Sequence, residues 1–304
     1  MTKTKGGIMP AAMTIWNSDE SFNVRGMERY LRWLIDNGAN NISICGSTGE
    51  NITMTMDEQK QIIEVCSKYI AGEVPLYCGT GRYCTSQTIE LTQFAADCGA
   101  DGALIILPIY LKPHMRAVFE HYRAIRKAVK PEFDLMAYNN PWFAGQEFNA
   151  RQVKTLYEEG ILGSIKSAHG DPNHIHDLKN TVGGDLVIMY GHDYDPMEAF
   201  FAGADGWLSG LPAIFPNYSR KLFEACAVEK NVDKGRELWA KMRPFIDYFY
   251  TYTTGDPHWQ EIFKYVLKLQ GLDYAGLPRL PLGDLLPEEK KKVEAIMVEI
   301  ADVI

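Results

Sequence analysis

The sequence predicts a (β/α)8 TIM barrel with a C-terminal helical extension, and three observations carry that expectation. Short apolar runs alternate with helix-spaced segments, giving eight strand-then-helix units in about 225 residues, the size of a closed barrel. Gly38-Ala39-Asn40, Gly99-Ala100-Asp101 and Gly203-Ala204-Asp205 each fall between a helix and a strand. Glycine there supplies the left-handed helix stop, and a short turn feeds the next strand. No Gly-x-Gly-x-x-Gly turn follows the first strand, which counts against an open doubly wound sheet.

In chain order, residues 7–14 read as the first strand, with a variable loop behind it. Asn23 can cap a helix over residues 24–37 that places Met27, Tyr30, Leu31, Leu34 and Ile35 on one face, stopped at Gly38. Residues 39–45 form the second strand and 56–69 the second helix. Residues 74–79 and 86–98 make the third unit, and 101–107 with 115–129 the fourth. Strand five covers 135–138 and breaks at Asn139-Asn140-Pro141, leaving residues 140–143 as loop before a helix at 150–159. Strand six, 162–166, closes on Lys166. Segments 174–181, 186–191, 196–202, 206–209 and 218–229 complete the alternation. Residues 1–231 are thus the barrel. Residues 232–304 read as an appended helical segment with helices at 234–252, 259–269 and 287–303. Its aromatic cluster (Trp239, Phe245, Tyr248, Phe249, Tyr250, Tyr252) is read as packing on the barrel, with a subunit interface as the second choice.

Composition narrows the class. In 304 residues, 46% hydrophobic and 23% charged content is enough for a full core. A net charge of -8 speaks against nucleic acid or an anionic membrane surface as partner. Six scattered cysteines without a Cys-x-x-Cys pair read as reduced thiols in a cytoplasmic protein, with Cys45 and Cys78 in the core. No apolar run approaches the roughly 20 residues that span a bilayer, and the first residues lack the apolar core of a signal peptide.

The chemistry-bearing residues gather at one edge. Tyr138 ends one parallel strand and Lys166 the next, and ligands bind at the carboxyl edge of such sheets. A lysine closing a buried strand is partly desolvated, which favours the neutral amine that attacks a carbonyl carbon. A neighbouring tyrosine hydroxyl can relay the proton. The alternative is a lysine whose head snorkels to water. Gly46-Ser47-Thr48-Gly49-Glu50 follows strand two on the same edge. Its glycines allow a tight turn whose amides can converge on a carboxylate, though a plain turn explains it equally. His192, Asp193 and Asp195 lack a third ligand at convincing spacing, so no metal site is expected. His169 and Asp171 lie on the active edge, either as substrate contacts or as a turn and a helix cap, with the cap favoured for Asp171. His174 and His176 are expected at the surface, and Arg82 and Lys112 as solvated loop residues, with carboxylate binding as the alternative.

Taken together, Gly46-Ser47-Thr48-Gly49-Glu50, Pro108-Ile109-Tyr110, Tyr138-Asn139-x-Pro141 and Ile165-Lys166 share order and spacing with one family. Over residues 7–231 the chain resembles the dihydrodipicolinate synthase and N-acetylneuraminate lyase family of Schiff-base (class I) aldolases and lyases. The resemblance implies that Lys166 forms an imine with pyruvate or a pyruvate-derived 2-oxo acid, with no cofactor. It makes Tyr138 the proton shuttle, with Ser47 in the relay and Ser47 and Thr48 holding the substrate carboxylate. Tyr110 matches a tyrosine lent by a neighbouring subunit, which implies a homodimer or homotetramer. Gly191 and Asp193 fall where the sugar-acid lyases carry a Gly-x-Asp substrate contact.

The chain also departs from that pattern. Phe143 stands where the synthases place a carboxylate-binding arginine, and an aromatic ring cannot make the bidentate clamp of a guanidinium. Ala168 and Tyr194 replace a threonine and an acidic residue that serve polyol substrates in the sialic acid lyases. The expected activity is therefore reversible carbon–carbon cleavage on a 2-oxo acid. Dehydration or deamination by the same imine is the alternative. A non-catalytic oxo-acid sensor comes last, since a binder needs no proton shuttle.

Overall fold

The computed structural model describes residues 6–252 and 257–304; the side chain of Tyr252 and the first five residues lie outside that set. Eight parallel strands alternate with helices. They are β1 (Gly7–Pro10), β2 (Ile42–Ile44), β3 (Leu76–Gly79), β4 (Gly102–Ile106), β5 (Asp134–Asn139), β6 (Ser164–Ser167), β7 (Val187–Tyr190) and β8 (Gly206–Ser209). Hydrogen-bonded order runs β1-β8-β7-β6-β5-β4-β3-β2. The seam between β1 and β2 closes through a parallel bridge, Ala11 to Ser43, with the Ala12 amide donating to the Ser43 carbonyl at 2.7 Å. The architecture is the (β/α)8 barrel that the alternation predicts.

The outer helices are α1 (Val24–Asp36), α2 (Met56–Ile70), α3 (Thr85–Asp97), α4 (Met115–Ala128), α5 (Pro141–Ala144), α6 (Ala150–Glu158), α7 (Pro172–Thr181), α8 (Pro196–Phe201), α9 (Leu211–Ile214) and α10 (Pro216–Phe223). Their starts follow local chemistry. Asn23 caps α1 through its side chain, Thr55 and Glu58 form a capping box on α2, and Asn149 with Gln152 does the same for α6. Gly38, Gly99 and Gly203 all adopt positive φ (99°, 87° and 105°), as the repeated triplet requires. Two short helices, α5 and α9, escape the sequence reading. Residues 140–143 are not loop: Asn140 caps the single turn α5, with Pro141 at its first position. The segment 218–229 starts earlier, at Pro216, and passes after Phe223 into a π-helical turn, Glu224–Val228.

Strand alternation sorts the apolar side chains into two cores. Ile8, Ile42, Ile105, Ile165 and their neighbours face the helices. Met9, Tyr77, Leu104, Met136, Tyr138, Met189 and Leu208 fill the barrel interior. Cys45, Cys66, Cys78 and Cys226 are buried free thiols. Among the described residues, no helix is long and apolar enough to cross a membrane.

The tail forms α11 (Val232–Tyr252), α12 (Trp259–Leu269) and α13 (Pro287–Glu299). Trp239, Phe245 and Phe249 are buried, and the Phe245 ring meets Phe215 of the barrel edge-on at 5.1 Å. The tail then runs back across the carboxyl edge, held there by buried charge. Lys264, fully buried, donates to the carbonyls of Thr14 and of Ala275, the latter at 3.0 Å, and lies 4.0 Å from Glu50. Arg279 donates its amide to Glu50 at 2.8 Å, pairs its guanidinium with Glu58 and stacks on Trp16. The Arg279 hydrogen bonds hold Glu58 down at about 2, while burial pulls Lys264 down to about 8 and pushes Glu50 up.

Candidate active site

Register places the central pair. Tyr138 and Lys166 are direct partners in the β5–β6 ladder, so both side chains point into the barrel. Each sits one residue before its strand ends, because Asn139 extends β5 by bonding both backbone groups of Phe148 and accepting from the Ala168 amide. Lys166 is 5% exposed, with Nζ 4.2 Å from the centroid of the Tyr138 ring. The Tyr138 hydroxyl accepts from Asn140 Nδ2 at 3.0 Å, and Asn140 Oδ1 accepts from the Phe143 amide at 3.1 Å. Asn140 thus ties the phenol to the turn carrying Trp142 and Phe143. Nothing in the residue types singled it out, although an asparagine before a proline is a helix-cap signal.

The Gly46–Glu50 turn lies across the barrel mouth. Asn51 donates to the Gly46 carbonyl at 3.3 Å and Glu50 to the Ser47 carbonyl at 3.0 Å, while Thr14 Oγ1 holds the Gly49 carbonyl at 2.7 Å. These bonds fix a tight reversal. Ser47 is half-buried, Thr48 is buried, and Glu50 closes the turn at φ 64°. Glu50 thereby belongs to the tail clamp.

A cavity of about 540 Å³ opens at this edge. Its lining includes Ser47, Arg82, Tyr138, Trp142, Phe143 and, from the tail, Trp259. Tyr138 is the link, since its ring both lines the cavity and carries the Lys166 ammonium. The tail contribution was not legible in the sequence, where the helices read only as packing. Gln260 Nε2 donates to the Ser47 carbonyl at 3.0 Å, so the first turn of α12 roofs the loop. Arg82 is not a solvated loop residue. It is half-buried and donates from Nη1 to Gln59 Oε1 at 3.2 Å.

Gly191 and Asp193 flank Lys166 differently. A Cβ built on Gly191 would stand 2.8 Å from Lys166 Cγ and Cε and 2.9 Å from Ala168 Cβ, so the lysine stem lies directly over this glycine. Asp193 is buried and accepts from the Gly210 and Leu211 amides at 3.2 and 3.0 Å, tying down the turn after β8. Both oxygens thereby each take one backbone amide. Burial pushes its carboxyl up to about 6 against those bonds and the nearby Lys166 charge. His192 bonds the Tyr250 hydroxyl through Nδ1 at 2.7 Å, and burial followed by the Lys166 charge pulls it down to about 4. Tyr194 turns toward Arg243 and packs on Tyr250.

Tyr110 is not brought to this cluster. It is 86% exposed at φ 66°, beside the exposed Leu111. His174 corrects an expectation as well. It is buried with Nδ1 2.7 Å from Ser167 Oγ, because the α7 face carrying it turns inward, whereas His176 is exposed. Asp171 caps α7, accepting from the Asn173 amide at 2.9 Å.

Gly191→Ala is expected to leave the barrel folded and lower imine formation at Lys166 about 10²-fold, the scale of a 1 Å misplacement. The check is the rate of borohydride trapping beside an unchanged circular dichroism spectrum.

Comparison with known proteins places this geometry. The model of the dihydrodipicolinate synthetase family matches residues 4–300. The chain is 31% identical over 294 residues to the 4-hydroxy-tetrahydrodipicolinate synthase of Methanococcus aeolicus, covering 96% of this chain and 98% of that one. It is 30% identical over 296 residues to its Acaryochloris marina counterpart, with 97% and 98% covered. A putative dihydrodipicolinate synthetase from Pseudomonas aeruginosa superposes with a TM-score of 0.89 at 28% identity, over 98% of this chain and 100% of that one. A sialic acid aldolase from Ruminococcus gnavus, a catalytic lysine mutant, shares the fold with a TM-score of 0.90 at 22% identity, over 98% and 96%. Enzymes of this family are class I lyases and aldolases that work through a lysine Schiff base without an external cofactor. Matched over nearly its whole length, the chain belongs to the dihydrodipicolinate synthetase family.

Proposed function

We propose that the chain makes and breaks the carbon–carbon bond between the carbon next to the ketone and the one beyond it in a pyruvate-derived 2-oxo acid, with pyruvate as the other form of that fragment, through an imine at Lys166. The observation that carries this reading is the Lys166–Tyr138 pair. A buried amine lies 4.2 Å from the ring of a tyrosine that itself lines the cavity. Lys166 Nζ attacks the ketone and water leaves. The iminium then accepts the electron pair of the adjacent bond, so a carbanion equivalent forms as an enamine. Tyr138 carries the proton, its oxygen already accepting from Asn140 so that its own hydrogen is left to donate. The amides and hydroxyls of Ser47 and Thr48 hold the substrate carboxylate. Gly191 leaves room for the lysine stem, and Asp193 positions the adjoining turn.

Tyr110 completes the relay from a second copy of the chain, which fits its exposure here and makes the working form at least a dimer. Phe143 in the cavity wall, where a synthase carries arginine, argues against dihydrodipicolinate synthesis as such. The test is intact-protein mass after incubation with pyruvate and borohydride. A stable adduct on a peptide containing Lys166 is expected. No adduct with pyruvate or with larger 2-oxo acids would end the reading.

A further inference from the structure

Resting on the imine at Lys166, the remaining wall of the cavity says what the second substrate is. Ile106 and Ile109 come from the end of β4 and the loop after it, Trp142 and Phe143 from α5, and Trp259 from the start of α12. Polar groups on this wall are largely committed elsewhere. Gln260 is bonded to the Ser47 carbonyl, Arg279 to Glu58, Glu20 and Thr53, and Glu50 to the Arg279 amide. His258 caps α12, and burial holds its pKa down, which favours the uncharged ring. The groups that would suit a polyol are turned away, since Asp193 bonds the backbone after β8 and Tyr194 packs on Tyr250. Arg82 spends Nη1 on Gln59 and Met54 and keeps a buried Nε without a hydrogen-bond partner among the described residues. A polyhydroxylated tail laid against Ile106, Trp142, Phe143 and Trp259, however, would lose water without gaining partners there, at a cost that burying a flat apolar group avoids. A volume of about 540 Å³ takes pyruvate and one aromatic ring together.

We infer that the aldehyde partner of this lyase is an aromatic aldehyde, its ring held among Trp142, Phe143 and Trp259. The balance is that of an aldol addition. The enamine carbon derived from the pyruvate methyl bonds to the aldehyde carbon. The carbonyl π pair moves to oxygen, which takes a proton. The water released when the imine formed is taken up again in its hydrolysis, freeing Lys166 and a 4-hydroxy-2-oxo-4-aryl acid. Cleavage is the same sequence reversed.

The test offers the full chain pyruvate with benzaldehyde, with glyceraldehyde or with succinic semialdehyde, and follows each adduct and its dehydrated form by mass. Benzaldehyde should be favoured in kcat/KM by about ten-fold or more. Phe143→Arg should move that preference about 10²-fold toward succinic semialdehyde, since the guanidinium then pairs with the distal carboxylate. Borohydride trapping with pyruvate is read in both chains, so that the shift in aldehyde preference is scored as a ratio within each chain and separately from imine formation. Preference for either aliphatic aldehyde, or no condensation with any of the three while trapping persists, would overturn the aromatic assignment alone. Loss of trapping in the wild-type chain would instead remove the imine reading beneath it.

Discussion

Replacing Lys166 with alanine is expected to lower turnover at least about 10³-fold while the barrel stays folded, because the amine proposed to form the covalent intermediate is gone. Lys166 contributes little that the fold needs. Its Nζ rests on the Tyr138 ring and its stem over Gly191, and it forms no salt bridge among the described residues. Truncation leaves space at the carboxyl edge of the barrel, beside a cavity already open there. The measurement pairs steady-state kinetics on the best 2-oxo acid with urea unfolding. A variant that keeps more than about a tenth of wild-type activity would exclude covalent catalysis at this residue. Lys166→Arg separates charge from nucleophilicity: it keeps the cation against Tyr138 but forms no imine, and is expected to be equally inactive.

Lys264→Met has the largest expected effect on stability, about 3–5 kcal/mol, the usual result of removing one member of a buried charge pair. Lys264 is completely buried and Glu50 almost so, at 4.0 Å separation. Methionine fills the volume but leaves the Thr14 and Ala275 carbonyls without their donor and the Glu50 carboxylate without its cation. Chemical denaturation should show the loss as a lower midpoint. Adding Glu50→Gln removes the uncompensated charge and should recover part of it, so the two changes combined should cost less than their sum. Additivity would mean that the two side chains do not interact.

Legibility in the sequence followed the range of the interactions concerned. The barrel was readable because strand, helix and turn signals are local, as the Gly38, Gly99 and Gly203 stops show. The central pair was readable because parallel strands put Tyr138 and Lys166 on one edge by periodicity alone, and the structure sets them side by side in register. What stayed hidden depended on side chains far apart in sequence. The hold of Asp193 on the Gly210 and Leu211 amides could not be read from its own neighbours in sequence. Arg82 looked like a loop residue until α2 supplied Gln59. Trp259 and Gln260 carry no local mark of a binding role, and only the return of the tail across the mouth gives them one. The resemblance to known aldolases pointed to the family, while Phe143, Ala168 and Tyr194 marked where substrate choice had to be argued afresh.

The clasp between tail and mouth also has a consequence in time. Gln260 meets Ser47 across 213 positions and Arg279 meets Glu50 across 229. At about 5–20 residues per second, a ribosome needs roughly 10–40 s to travel from one end of the first contact to the other. For the later part of that interval, roughly 5–20 s between Lys166 and Gln260, the strands bearing Tyr138 and Lys166 are already made, while the roof over the Ser47 turn is not. A nascent barrel therefore carries its reactive amine under an open lid, and a finished pocket arrives only with one of the last segments to emerge.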